Sequence, residues 1–141
     1  MKRSAHAIWN GNLKQGTGKI STQSGALSDA QYGFNTRFEN GPGTNPEELI
    51  AAAHSGCFSM ALSLQLTEAG FEADTIKTVA TVSLEKDDSG FSITAIHLDL
   101  TAKVPGLDDA KFQELANKTK TGCPVSKVLN AEITLDATLE K

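Results

Sequence analysis

Between Thr44 and Gly70 the chain reads TNPEELIAAAHSGCFSMALSLQLTEAG, and its apolar residues fall on two helical rows. Leu49, Ile50, Ala53, Cys57, Met60, Ala61 and Leu64 recur at helical spacing on one side. Ala51, Ala52, Phe58, Leu62 and Leu66 make the second row. The pattern predicts a helix of about 24 residues, roughly 36 Å long. Both ends are marked. Asn45 suits the N-cap, Pro46 the first helical position and Glu48 the capping-box acid, while Gly70 suits a left-handed cap. A helix apolar on most of its circumference must be surrounded by protein, and Cys57 lies in the middle of this one.

Elsewhere the pattern alternates. Ala5 to Asn10, Lys19 to Leu27 and Gly33 to Phe38 read as strands, the last with Phe34, Thr36 and Phe38 on one face and Asn35 and Arg37 on the other. Gly41-Pro42-Gly43 is a loop delivering the chain to the helix cap. Ile76 to Glu85 and Phe91 to Val104 form a hairpin around Asp87 to Gly90, and a change of phase in the second strand predicts a bulge near Ala95. A helix starts at Asp108 or Asp109 and runs through Lys120 with Phe112, Leu115, Ala116 and Thr119 inward. Pro124 opens a short helical piece to Leu129, and Glu132 to Leu139 alternates as a final strand. The order βββ-α-ββ-α-α-β describes an α+β fold, mostly antiparallel sheets around a long central helix, in a single domain spanning 1–141. Sheets this short cannot cover the central helix on most sides, so a homodimer with its two central helices packed together is expected.

Charge narrows the function classes. With 13 basic and 17 acidic residues the net charge is −4, and the basic residues are scattered, so nucleic acid is not an expected partner. The central helix is interrupted by Ser, Gln and Thr, so no membrane span is expected. Met1-Lys2-Arg3 is not followed by a hydrophobic region, which gives no signal peptide and places the chain in the cytoplasm. There the two cysteines, Cys57 and Cys123, are thiols or a cycling pair rather than a permanent bridge. His6, His54, His97, Cys57 and Cys123 show no structural-zinc spacing, so neither a metal nor another cofactor is expected.

Cys57 has two readings, a small buried hydrophobe or a nucleophile. Cys123 sits at a helix start, where the dipole favours a thiolate. Arg37 precedes the loop that feeds the Cys57 helix, and Glu47 and Glu48 open that helix. At roughly 100° per residue Glu48 lies opposite Cys57 and Glu47 about 80° from it, so Glu47 is the freer carboxylate to hold an arginine. A peroxide-reducing thiol needs these parts: a nucleophilic sulfur, a cation to offset burial, an acid to position the cation and a second thiol to capture the sulfenic acid. His54, one turn before Cys57, leaves open a cysteine–histidine pair as well as a packed, hydrogen-bonded histidine. Phe34, Phe38, Phe58 and Met60 are core residues first, and second an apolar lining for an alkyl peroxide.

The motifs NPEELIAAAHSGCFSMALS and GCPVSKVL, with YGFNTRF before the helix and AEITLD near the end, resemble the osmotically induced protein C (OsmC) family, sister to the organic hydroperoxide resistance (Ohr) proteins. The resemblance implies a thiol peroxidase acting on organic hydroperoxides and hydrogen peroxide, built as an intertwined homodimer with two active sites at the subunit interface. It implies Cys57 as the peroxidatic cysteine, Cys123 as the resolving cysteine, Arg37 as the activating cation and Glu47 as its partner. It also implies a dithiol reductant, a lipoylated protein among the donors. Two other classes remain: a binding protein for a fatty or acyl ligand with incidental cysteines, and a thioesterase-like enzyme using an acid as base.

Overall fold

A computed structural model describes residues 1–141, which divide into two compact units, Met1–Leu49 and Ile50–Lys141. In the first, β1 (Ala5–Asn10), β2 (Thr17–Thr22) and β3 (Ala30–Tyr32) form an antiparallel sheet in the order β1-β2-β3. Gly18 pairs with Trp9 on one side and Tyr32 on the other. A Cβ on it would come within 2.3 Å of the Tyr32 ring, so glycine leaves the room in which Trp9 and Tyr32 meet at 5.5 Å.

The strand expected over Gly33 to Phe38 is instead a short helix, α1 (Phe34–Phe38). An apolar pattern this short fits both periods. The helical one wins because Phe34 and Phe38, one turn apart, meet as tilted rings with centroids 5.0 Å apart. Thr36 reinforces it: its hydroxyl accepts from the Gly33 N–H at 2.8 Å and donates to the Gly33 carbonyl at 3.0 Å. Arg37 therefore projects from a last helical turn and not from a strand face.

The long helix α2 (Pro46–Glu68) begins in the first unit and continues into the second. Asn45 caps it by accepting the Glu48 N–H at 2.8 Å. At the far end Gly70 takes φ +87°, Phe71 N–H reaches Leu66 O at 2.9 Å and Gly70 N–H reaches Thr67 O at 3.0 Å, a Schellman motif.

The second unit is built on β4 (Thr75–Asp87), β5 (Gly90–Lys103) and β6 (Glu132–Glu140), in the order β4-β5-β6. The register slips between Ser83 and Leu84, which pair with Ala95 and Ile93, so Thr94 is the extra residue of the expected bulge. Past it, Ile96, Leu98, Leu100 and Ala102 all face the core. They share that core with Phe58, Leu62 and Leu66 of α2 and with Phe112, Leu115 and Ala116 of α3 (Asp109–Gly122). After α3 and α4 (Pro124–Val128) the chain returns along β5, and a crossover of that length lets β6 pair parallel to it.

Within one chain α2 is less enclosed than its composition predicts. Its buried stripe is His54, Phe58, Leu62 and Leu66, while Met60 is 79% exposed and Leu64 56%. By length and composition its 23 residues would also suffice to cross a bilayer, against the expectation that no segment could. The serines and threonines that interrupt it dilute its hydropathy only slightly, as in helices buried inside folded proteins.

Candidate active site

The two cysteines, remote in sequence, meet in the second unit. Cys57 sits in mid-α2, beside the buried stripe. Cys123 is fully buried at the joint between α3 and α4, where its N–H closes the last turn of α3 on Thr119 O at 2.9 Å and Pro124 starts α4. Both thiols are free, and their sulfurs lie 3.0 Å apart. Burial pushes the Cys57 thiol above its ordinary value, and the Cys123 thiol beside it adds to the effect. The Val125 N–H, at the start of α4, opposes both by donating to the Cys57 sulfur. The open N-terminus of α4 thus serves Cys57.

One turn along each helix is a second contact. His54 is fully buried, and its Nε2 lies 2.7 Å from the Ser126 hydroxyl of α4. Its Nδ1 is buried without a hydrogen-bond partner, and burial lowers its pKa, so the imidazole is neutral. His54 pairs with a serine and not with Cys57. Ser126 went unnoticed in the sequence. The signal that could have found it is a mirrored spacing: His54 precedes Cys57 by one turn and Ser126 follows Cys123 by one turn.

Arg37 and Glu47 meet in the first unit. The guanidinium reaches the carboxylate through Nη2 at 2.8 Å and Nε at 3.1 Å, with a third contact at 3.3 Å to the other oxygen. Asn45 sets this up. Besides capping α2 it donates from Nδ2 to Thr36 O at 3.1 Å, so one side chain ties the end of α1 to the start of α2. Arg37 also lies over the Phe38 ring at 5.4 Å. Beside it is a cavity of about 220 Å³ lined by Trp9, Leu13, Tyr32, Phe34, Phe38 and Pro46, apolar apart from the Arg37 cation and a tyrosine hydroxyl. Phe34 and Phe38 therefore line a cavity, while Phe58 is core and Met60 is exposed.

Two free thiols in contact, one on a long helix and one at a helix joint of an α+β unit, are an arrangement able to pass between dithiol and disulfide. The chain belongs to the family described as "OsmC-like protein", whose model matches residues 39–138. It is 56% identical to the peroxiredoxin OsmC of Escherichia coli (strain K12) over 138 residues, 98% of this chain and 96% of that protein. It is 36% identical to the organic hydroperoxide resistance protein OhrB of Bacillus subtilis (strain 168) over 118 residues, 82% of this chain and 84% of that one. Among solved structures, OhrB of B. subtilis superposes with a TM-score of 0.68 at 30% identity, covering 97% of this chain and 98% of that one. The organic hydroperoxide resistance protein of Elizabethkingia anophelis gives 0.75 at 25% identity, covering 99% of both.

Proposed function

We infer that this chain is a thiol-dependent peroxidase that reduces organic hydroperoxides and hydrogen peroxide. The observation that carries the reading is the 3.0 Å contact between two free thiols within a family of peroxide-reducing relatives. The Cys57 thiolate attacks one peroxide oxygen and the O–O bond breaks. An alcohol leaves, or water from hydrogen peroxide, and Cys57 becomes a sulfenic acid. The Cys123 sulfur then attacks the Cys57 sulfur, the S–O bond breaks, and the hydroxyl leaves as water with the Cys123 proton. The resulting disulfide returns to two thiols by exchange with a dithiol reductant, a lipoylated protein being the donor the chemistry suits.

Arg37 supplies the cation this scheme requires. Burial works against a Cys57 thiolate, and a guanidinium fixed by Glu47 offers positive charge in a defined orientation. The cavity beside Arg37 would take the alkyl or aryl part of an organic hydroperoxide. We assign the working form to a homodimer acting as one domain per chain. The open apolar face of α2 around Met60 and Leu64, together with the exposed Ile8 and Trp9 of β1, supports this. Free thiols suit a reducing compartment, the cytoplasm.

The test is a thiol titration before and after a stoichiometric pulse of cumene hydroperoxide. Wild type loses two thiols, and Cys57→Ser loses none promptly. A fatty-ligand carrier with incidental cysteines would show no difference between wild type, Cys57→Ser and Cys123→Ser, and that result would overturn the assignment.

A further inference from the structure

Resting on the peroxidase reading, we propose that His54 and Ser126 are a positioning pair for the resolving step, holding Cys123 on Cys57 so that the disulfide forms before a second peroxide arrives. The sulfurs must close from 3.0 Å to a bond of about 2.05 Å after an oxygen has been added to one of them. Cys123 therefore has to stay in place while its partner grows. Its own residue is buried and bonded through its backbone, but the segment that follows it is short. Cys123 is the joint before a five-residue helix, and beside that helix lies a surface cavity of about 350 Å³ lined by Lys120, Thr121, Ser126, Ala131 and Ile133.

The His54–Ser126 hydrogen bond crosses from α2 to α4 one turn from the sulfur pair, at 2.7 Å between buried groups. It is a second point of attachment that survives when the sulfur contact is remodelled. Two points one turn apart fix both the separation of the two helices and the direction in which Cys123 faces. A hydroxyl can donate or accept, so the link forms with either imidazole tautomer. Neither His54 nor Ser126 needs to touch the peroxide.

The pair decides between two fates of one sulfenic acid. Attack by Cys123 gives the disulfide and water. Attack by a second hydroperoxide gives a sulfinic acid at Cys57 and one alcohol, and that product leaves the cycle. The ratio of sulfinic acid to disulfide does not depend on how fast the sulfenic acid forms.

Wild type and variants are titrated with increasing cumene hydroperoxide, and the Cys57 products are counted by mass spectrometry. Ser126→Ala and His54→Leu should raise the sulfinic-to-disulfide ratio about fivefold, the change that loss of one hydrogen bond brings. His54→Gln places an amide where Nε2 was, and Ser126→Thr keeps the hydroxyl, so both should stay within about twofold of wild type. A wild-type ratio in Ser126→Ala overturns the proposal, whatever its melting temperature. So does a His54→Gln ratio as high as that of His54→Leu, which would assign the effect to packing volume. Should His54→Leu fail to fold, Ser126→Ala decides alone. Loss of no thiol by wild type would instead sink the peroxidase reading.

Discussion

The sulfur pair and the ion pair are built in opposite ways. Cys57 and Cys123 meet where helices and sheet share a hydrophobic core, and a second buried contact, His54 to Ser126, lies one turn away. Arg37 and Glu47 meet outside a core, between a five-residue helix and the first turn of α2, with the arginine side chain 38% exposed and the glutamate 12%. Packing holds the first pair at a set distance but disfavours the thiolate. The second pair is only partly enclosed, so salt screens it, and a single asparagine joins its two elements.

This contrast can be broken from either side. The largest effect on stability should come from Leu62→Ala, which opens a cavity in the core that Cys123 shares and should cost about 2–5 kcal/mol in chemical denaturation. Arg37→Ala should do the reverse. It should slow Cys57 oxidation in stopped flow by about ten- to a hundredfold, the scale of pKa change a neighbouring cation produces, while altering stability by less than about 1 kcal/mol. A loss of stability on the Leu62→Ala scale would make Arg37 a structural residue.

Glu47→Gln keeps the cation and removes its charged anchor, so a smaller slowing is expected, about fivefold. Raising salt from about 0.1 M to about 1 M should narrow the gap between this variant and wild type, because exposed pairs are screened. A gap independent of salt would place the pair in a dry environment.

The smallest effect belongs to His54. Burial holds its pKa below 6.5, so the unfolded chain takes up a proton that the folded one refuses. Its contribution to stability is complete above 6.5 and is lost as pH falls through the lower folded value. Calorimetric melting temperature should therefore decline more steeply below that pH in wild type than in His54→Gln, and equal slopes would contradict the buried neutral imidazole.

The legible parts of the fold were those where one period dominated over many residues. The caps and length of α2, the inward face of α3, the bulge opposite Ser83 and the alternation of β6 all follow from repeats long enough to exclude the other period. Phe34 to Phe38 was misread because five residues satisfy both periods, and contact between the two rings chose the helix. The site divided in the same manner. Glu47 was separable from Glu48 by angle along one helix, and the ion pair with Arg37 follows from it. Ser126 carried no local sign of importance, because its partner His54 is brought to it from another helix.

Residue pattern alone determined the longer helices and strands, though not α1, and which residue types could carry redox chemistry, because those properties depend on neighbours along the chain. Tertiary structure alone decided that Cys123 lies against Cys57, that His54 faces Ser126, and that much of the α2 surface stays open in a single chain. These contacts join elements distant in sequence. They are set by how the core closes around α2, α3 and α4, and no periodicity within one segment encodes that closure.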